Sequence, residues 1–215
     1  MKIGILGSGT VGRTLGSGFV KHGHQAMLGT RDPRKPEVQQ WVQSTPGAAA
    51  GTFEQTARFG DLIVLATLGR AAEEAIRLAA IDNLAGKTVM DTTNPIAEAP
   101  PTGGILAFFT GPNESLGERI QSLAPKANVV KAFNSVGAGK MINPSYAQGK
   151  PTMFFCGDNS AAKQTVAGII EQFGWKPYDG GGIVACRAIE PLCILWCSRG
   201  FQHNQWDHAF ALLTA

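Results

Sequence analysis

The sequence predicts an α/β protein built on a doubly wound parallel sheet of about eight strands, with a short helical tail. Three observations carry that prediction. Strand-like apolar runs alternate with helix-like periodic segments from the first residues onward. A glycine-rich turn, Gly7-Ser8-Gly9-Thr10-Val11-Gly12, separates the first strand from the first helix. The length of 215 residues suits one such domain.

The elements follow in order. The run 2–6 is a continuous apolar strand and is followed by a helix over 10–22. A second strand covers 25–28, and the helix over 37–43 places Val38, Trp41 and Val42 on one face. A short third strand fits 48–51, and 61–67 (DLIVLAT) is the clearest buried strand of the chain. An alanine-rich helix over 71–80 and strands at 88–91 and 129–133 continue the pattern. Between those strands Ser115 and Glu118 have capping-box spacing, opening a helix with Leu116, Ile120 and Leu123 inward. Two more strands, 152–156 and 176–178, flank a helix that begins near Asp158 or Ser160 and stops at Gly174. Helical character resumes at 183, with Pro191 kinking or restarting it. No linker or repeat interrupts the chain, so residues 1–182 are read as the nucleotide-binding domain and 183–215 as a helical tail packed upon it.

Composition excludes several classes of function. Hydrophobic residues at 44% and charged residues at 16% argue against disorder. A net charge of +3, scattered along the chain, is too weak for a nucleic-acid surface. No apolar stretch approaches the ~20 residues that cross a bilayer, and no secretory leader precedes the first strand. A cytoplasmic protein without nucleic-acid or membrane partners is expected. The four cysteines, Cys156, Cys186, Cys193 and Cys197, form no C-x-x-C pair and read as buried thiols rather than metal ligands.

Placed between a strand and a helix, the G-x-G-x-x-G turn is the dinucleotide fingerprint of a Rossmann-like domain. Gly7 allows the tight turn, Gly9 lets a pyrophosphate approach the backbone, and Gly12 lets helix and strand pack closely. Free N–H groups and the positive dipole end of the helix face the phosphates. The end of the second strand selects the nucleotide. An acidic residue there would bind a ribose 2′-hydroxyl, but this chain reads Thr30-Arg31, with Arg34 and Lys35 one turn on. Hydroxyl and guanidinium suit a 2′-phosphate, so NADP is the expected cofactor. Asp32 is expected to turn outward and cap the helix after Pro33. A solvated basic turn is the alternative for this segment.

In such sheets ligands lie where the strand order reverses. That rule places Ala66, Thr67 and Leu68 beside the middle of the cofactor. It places 92–95 and 133–136, Asn94, Pro95 and Asn134 among them, around the nicotinamide together with Ala132. A plain turn at 94–95 and a helix cap at Asn134 are the alternatives. No catalytic acid or base stands out. His22 and His24 read as solvated, His203 and His208 as surface or packing residues, and Lys131 as a structural contact or a general base. Carbonyl reduction needs a positioned proton donor; hydride transfer to a flavin ring chiefly needs two planar rings stacked.

Taken together, the segments 4–12 (GILGSGTVG), 28–31 (LGTR), 91–95 (DTTNP), 129–134 (VVKAFN), 156–158 (CGD) and 190–192 (EPL) resemble the NADPH-dependent reductases of the deazaflavin coenzyme F420. They are also similar to the N-terminal oxidoreductase domain of the six-transmembrane metalloreductases, to which 132–135 is the nearer match. The resemblance implies an eight-stranded domain that forms a homodimer. It implies that Ser8, Thr30 and Arg31 hold the 2′-phosphate, and that F420 or a flavin, as second substrate, lies over the nicotinamide near Asn94 and Asn134. The metalloreductases' membrane domain has no counterpart here, so metal reduction through haem is not carried over. An NADPH sensor without turnover, or a small imine or hydroxy-acid reductase, is the competing reading.

Overall fold

In the computed structural model, which describes residues 1–213, eight strands form one sheet in the order β3-β2-β1-β4-β5-β6-β7-β8. The strands are β1 (Lys2–Leu6), β2 (Gln25–Gly29), β3 (Ala48–Gly51), β4 (Leu62–Leu65), β5 (Thr88–Asp91), β6 (Asn128–Lys131), β7 (Thr152–Gly157) and β8 (Lys176–Asp179). The order reverses at β1, which pairs in parallel with both β2 and β4. Doubly wound α/β architecture is thus present, with one refinement. β7 runs antiparallel to β6, opposing Lys131 with Cys156, and β8 runs parallel to β7. The segment joining β6 to β7 contains only a 3₁₀ turn, Ala138–Lys140, and no crossover helix of the kind that parallel neighbours require.

Helices cover both faces of the sheet. On one side α1 (Thr10–Lys21), α2 (Pro36–Ser44) and α6 (Ser160–Gln172) bury Leu15, Phe19, Trp41, Val166 and Ile170 against Ile3, Ile5, Leu62 and Val64. On the other, α3 (Phe53–Phe59), α4 (Ala72–Leu78), α5 (Leu116–Leu123) and α7 (Cys186–Ile189) bury Ala57, Ile76, Ile120 and Cys186 against Leu6, Ile63 and Leu65. Alternate residues of β1 and β4 therefore serve opposite layers, the two-residue period of a strand buried on both faces.

Local chemistry explains the boundaries. Ser115 caps α5 through its bond from the Glu118 N–H. Asn159, between the two candidates named above, caps α6 by accepting the Ala162 N–H at 2.9 Å. Gly174, at φ +89°, ends α6 in a Schellman motif, with Trp175 N–H bonded to Ile170 O and Gly174 N–H to Glu171 O. The helix α3 was not expected from the sequence. Its signal is the capping box Thr52-x-x-Gln55, in which each side chain accepts the other residue's backbone N–H. Beyond β8, Pro191 restarts rather than kinks the helix, separating α7 from α8 (Leu192–His203). Among the described residues, no helix is long and apolar enough to cross a membrane.

Candidate active site at the carboxyl edge of the sheet

The turn from β1 to α1 is held by backbone packing. Gly7 sits at φ +129°, and a Cβ there would lie 2.3 Å from the Ala66 carbonyl oxygen. A Cβ on Gly12 would lie equally close to Gly7 O. Gly9 differs: nothing lies within 4 Å of where its Cβ would stand. Gly9 is also the N-cap of α1, and no side chain bonds into that end of the helix. Arg13 steadies the turn by donating to Ser8 O at 2.8 Å, a contact the glycine pattern does not announce. The result is a helix N-terminus with free N–H groups opening on empty space, a cradle of the kind a pyrophosphate occupies.

That cradle is the centre of a cleft of about 530 Å³. Of the sequence-predicted residues, Gly7, Ser8, Gly9, Thr10, Val11, Thr30, Arg31, Lys35, Ala66, Thr67, Leu68 and Thr92 line it. Thr30 is buried at 6% exposure, while Arg31 extends into solvent with no carboxylate partner among the described residues. Thr67 contributes a buried hydroxyl without a hydrogen-bond partner. Two expectations at this end need correction. Arg34 does not line the cleft; its side chain is 93% exposed and leans toward Asp32 at 3.6 Å. Asp32 does not cap α2, because that helix begins only at Pro36. Its carboxylate accepts the Arg34 N–H at 3.0 Å, closing a turn, and it too stays out of the cleft. The sequence reading also missed the far wall, made by Phe53 with Ala71, Glu74, Ala75 and Leu78 of the α4 region. The i, i+3, i+4 spacing of 71, 74, 75 and 78 was its available signal.

The other predicted residues gather at the ends of β5 and β6, beyond the lined cleft. Asn94 donates from Nδ2 to the Asn134 backbone oxygen at 2.7 Å, and Asn134 Nδ2 donates to Asn94 Oδ1 at 3.1 Å and to Ile189 O at 3.0 Å. Two carbonyl acceptors around Nδ2 fix the orientation of the Asn134 amide. Asn134 is therefore no helix cap. Ala132 is fully buried, and Pro95 turns the chain away beside Asn94. Phe133, between Ala132 and Asn134, adopts φ +57°, a left-handed conformation that costs a bulky residue roughly 1–3 kcal/mol. Packing against Phe173 and Trp175 holds it there.

Lys131 is no general base. It is fully buried, 2.6 Å from Asp91 and 2.9 Å from Glu190, and it donates to Thr93 O at 2.9 Å. Burial opposes its charge, but the two carboxylates hold its pKa above the ordinary lysine range, so it stays protonated. Asp91 Oδ1 in turn accepts from the Thr93 N–H and hydroxyl. Glu190 accepts the Leu116 and Gly117 N–H groups at the start of α5. Among the histidines, His22 packs on Phe173 and is half-buried rather than solvated, His24 bonds Gln172, and His208 stacks on Trp196. Of the thiols, Cys156 and Cys186 lie 3.3 Å apart in the core and Cys193 and Cys197 3.9 Å apart along α8.

The family model of coenzyme F420-dependent NADP oxidoreductases matches residues 2–95. The rat metalloreductase STEAP3 is 29% identical over 191 residues, which are 89% of this chain and 36% of that protein. The human metalloreductase STEAP2 is 26% identical over 194 residues, 88% of this chain and 35% of that protein. The chain thus spans about a third of the length of the curated relatives it matches. Among solved structures, a putative F420-dependent NADP reductase from Arthrobacter sp. FB24 superposes with a TM-score of 0.92 at 32% identity, each chain covered completely. A reductive aminase from Aspergillus terreus shares the fold at a TM-score of 0.66 and 19% identity, over 90% of this chain and 59% of that one.

Proposed function

We propose that this chain, which belongs to the family of coenzyme F420-dependent NADP oxidoreductases, moves hydride between NADP(H) and a flavin-like acceptor, F420 or a flavin. That membership makes it an NADP-dependent oxidoreductase. The observation that carries the finer reading is the contrast between the two parts of the site. The cleft has a cradle of backbone N–H groups with a basic shoulder, while the end beyond it offers amides and hydroxyls but, among the described residues, no free acid or base.

In this reading the α1 N-terminus holds the pyrophosphate, and Ser8, Thr30, Arg31 and Lys35 hold the 2′-phosphate. Phe53 and Leu78 enclose the adenine. Thr67 and Leu68 flank the central riboses, and Asn94 and Asn134 flank the nicotinamide. NADPH, when bound, supplies the hydride. Residues of the chain orient the nucleotide and need not relay a proton, since Lys131 is locked in its ion pairs. Exposed apolar side chains on α8, Leu195 and Phe201, support a homodimer. Four free thiols fit the reducing cytoplasm.

NADPH oxidation measured at saturating NADPH with F420, FMN, FAD and riboflavin in turn tests the assignment. Stimulation by at least one flat tricyclic acceptor is expected. Binding of NADPH without stimulation by any of them would replace the reductase with a sensor.

A further inference from the structure

Two segments placed around the nicotinamide by the sequence, and a third from the tail, meet in one buried charge cluster. Asp91 comes from the end of β5, Lys131 from the end of β6, and Glu190 from the break between α7 and α8. Asp91 and Lys131 each lie three residues before a member of the amide pair, and Glu190 follows Ile189, which bonds that pair. Thr93, whose carbonyl accepts from Lys131 and whose N–H and hydroxyl bond Asp91, precedes Asn94. Ile189, whose carbonyl accepts from Asn134, precedes Glu190. The cluster therefore grips the two stretches of chain that carry the Asn94–Asn134 pair and the third that bonds to it.

A hydrophobic substitute could fill the same space. Buried ion pairs seldom add net stability over apolar packing, because desolvation offsets their attraction. What charges supply is direction: each ion and each bonded N–H fixes an angle that apolar contacts leave free. The surplus negative charge of two carboxylates against one ammonium is met by the Leu116 and Gly117 N–H groups of α5, so the cluster is complete without solvent or ligand. Strain at Phe133, immediately before Asn134, shows that local preference alone would not turn this amide toward Asn94.

We propose that Asp91, Lys131 and Glu190 are positioning residues that set the Asn94–Asn134 pair for the nicotinamide half of the cofactor while leaving the adenosine half untouched. The inference rests on the proposed function, which places the nicotinamide at that pair.

Its test separates the two halves of the nucleotide. Wild type, Glu190→Gln and the milder Thr93→Val are titrated with 2′,5′-ADP and with NADPH, and folding is followed by thermal melting. Wild type is expected to bind NADPH more tightly than 2′,5′-ADP. Glu190→Gln places a donor against the donors of α5 and Lys131, and is expected to weaken NADPH by about tenfold, the worth of one misplaced hydrogen bond. Its 2′,5′-ADP affinity should stay within the error of wild type. Thr93→Val, which removes only the hydroxyl that bonds Asp91, should show the same selective loss on a smaller scale and keeps the test open if Glu190→Gln does not fold. Equal losses for both ligands, or none for either, would overturn the positioning role. Wild type that binds neither ligand would instead overturn the proposed function, and the inference with it.

Discussion

The two ends of the site are built on opposite plans. At the glycine turn the chain presents unpaired groups: free N–H groups at α1, an exposed Arg31, and open space over Gly9. At the ends of β5 and β6 most polar side-chain atoms are already bonded to another residue of the protein, Asn134 Oδ1 excepted, and the ions behind them are buried. A site for phosphates gains from unsatisfied donors, because the ligand brings the missing charge. A site that must align a flat ring gains from rigidity, because small misplacements at a reacting centre are expensive in rate. The first kind of site is sensitive to what its residues offer the ligand, the second to what they offer each other.

If that division is correct, the largest effect on stability comes from the second end. Lys131→Met leaves Asp91 and Glu190 facing one another without a cation, and is expected to destabilise the fold by about 3–5 kcal/mol. Chemical denaturation measures it. A loss below about 1 kcal/mol would put the pairing in the range of surface ion pairs and break the comparison.

Two neighbouring glycines sharpen the comparison at the first end. Gly7→Ala forces a side chain into a left-handed backbone and against Ala66 O, and should cost roughly 1–3 kcal/mol of stability from strain alone. Gly9→Ala fits its backbone at φ −71° and meets no atom, so the melting temperature should not fall. NADPH affinity should fall nonetheless, since the methyl group fills the cradle. Gly9→Ala with unaltered NADPH binding would move the pyrophosphate elsewhere.

Arg31→Ala probes what that end offers the 2′-phosphate. Loss of a charge-assisted hydrogen bond should weaken NADPH by roughly 10- to 150-fold. The shared cleft lining of Lys35 puts the expectation toward the lower figure. NADH affinity should barely move, and Arg34→Ala should do little to either nucleotide. Equal losses for NADPH and NADH would make Arg31 a fold residue. Wild type preferring NADH would overturn the reading of the NADP site.

How much of this was legible in the sequence follows the same division. The glycine turn, Thr30 and Arg31 could be placed because their chemistry is local: a strand, a turn and a helix within a few dozen residues dictate where each points. Asp32 and Arg34 lie in that same segment, yet their orientation depended on where α2 starts, and the start at Pro36 left Asp32 closing a turn instead. α3 escaped notice although Thr52 and Gln55 spell its capping box, because the helix is only seven residues long. The cluster behind the amide pair was beyond sequence reasoning for a different reason. Glu190 bonds Leu116 and Gly117 across 74 and 73 residues, and no periodicity reports a contact made by tertiary packing. Lys131 could be weighed only as a contact or a base until its partners were known.

The smallest expected effect lies on the surface just outside that cluster, and shows that depth, not the presence of charge, separates the two plans. Arg187 grips Glu118 with two bonds, at 2.9 and 2.7 Å, on the exposed flank of α5. The Arg187 hydrogen bond holds the Glu118 carboxyl below its ordinary pKa, against a smaller opposing effect of burial. A carboxylate with a depressed folded-state pKa contributes stability that is complete above its unfolded value, near 4.5, and is lost as pH falls through the folded one. Glu118→Gln should therefore be slightly less stable than wild type at neutral pH, and the gap should close under acid as wild type protonates. Solvent screens this pair, so a shift of only a few degrees in melting temperature is expected at neutral pH, falling further with added salt. A gap as large as that of Lys131→Met, or one that persists in acid, would mean that the pair at the surface is bound as tightly as the ions inside, and that burial does not mark the boundary between the two ends.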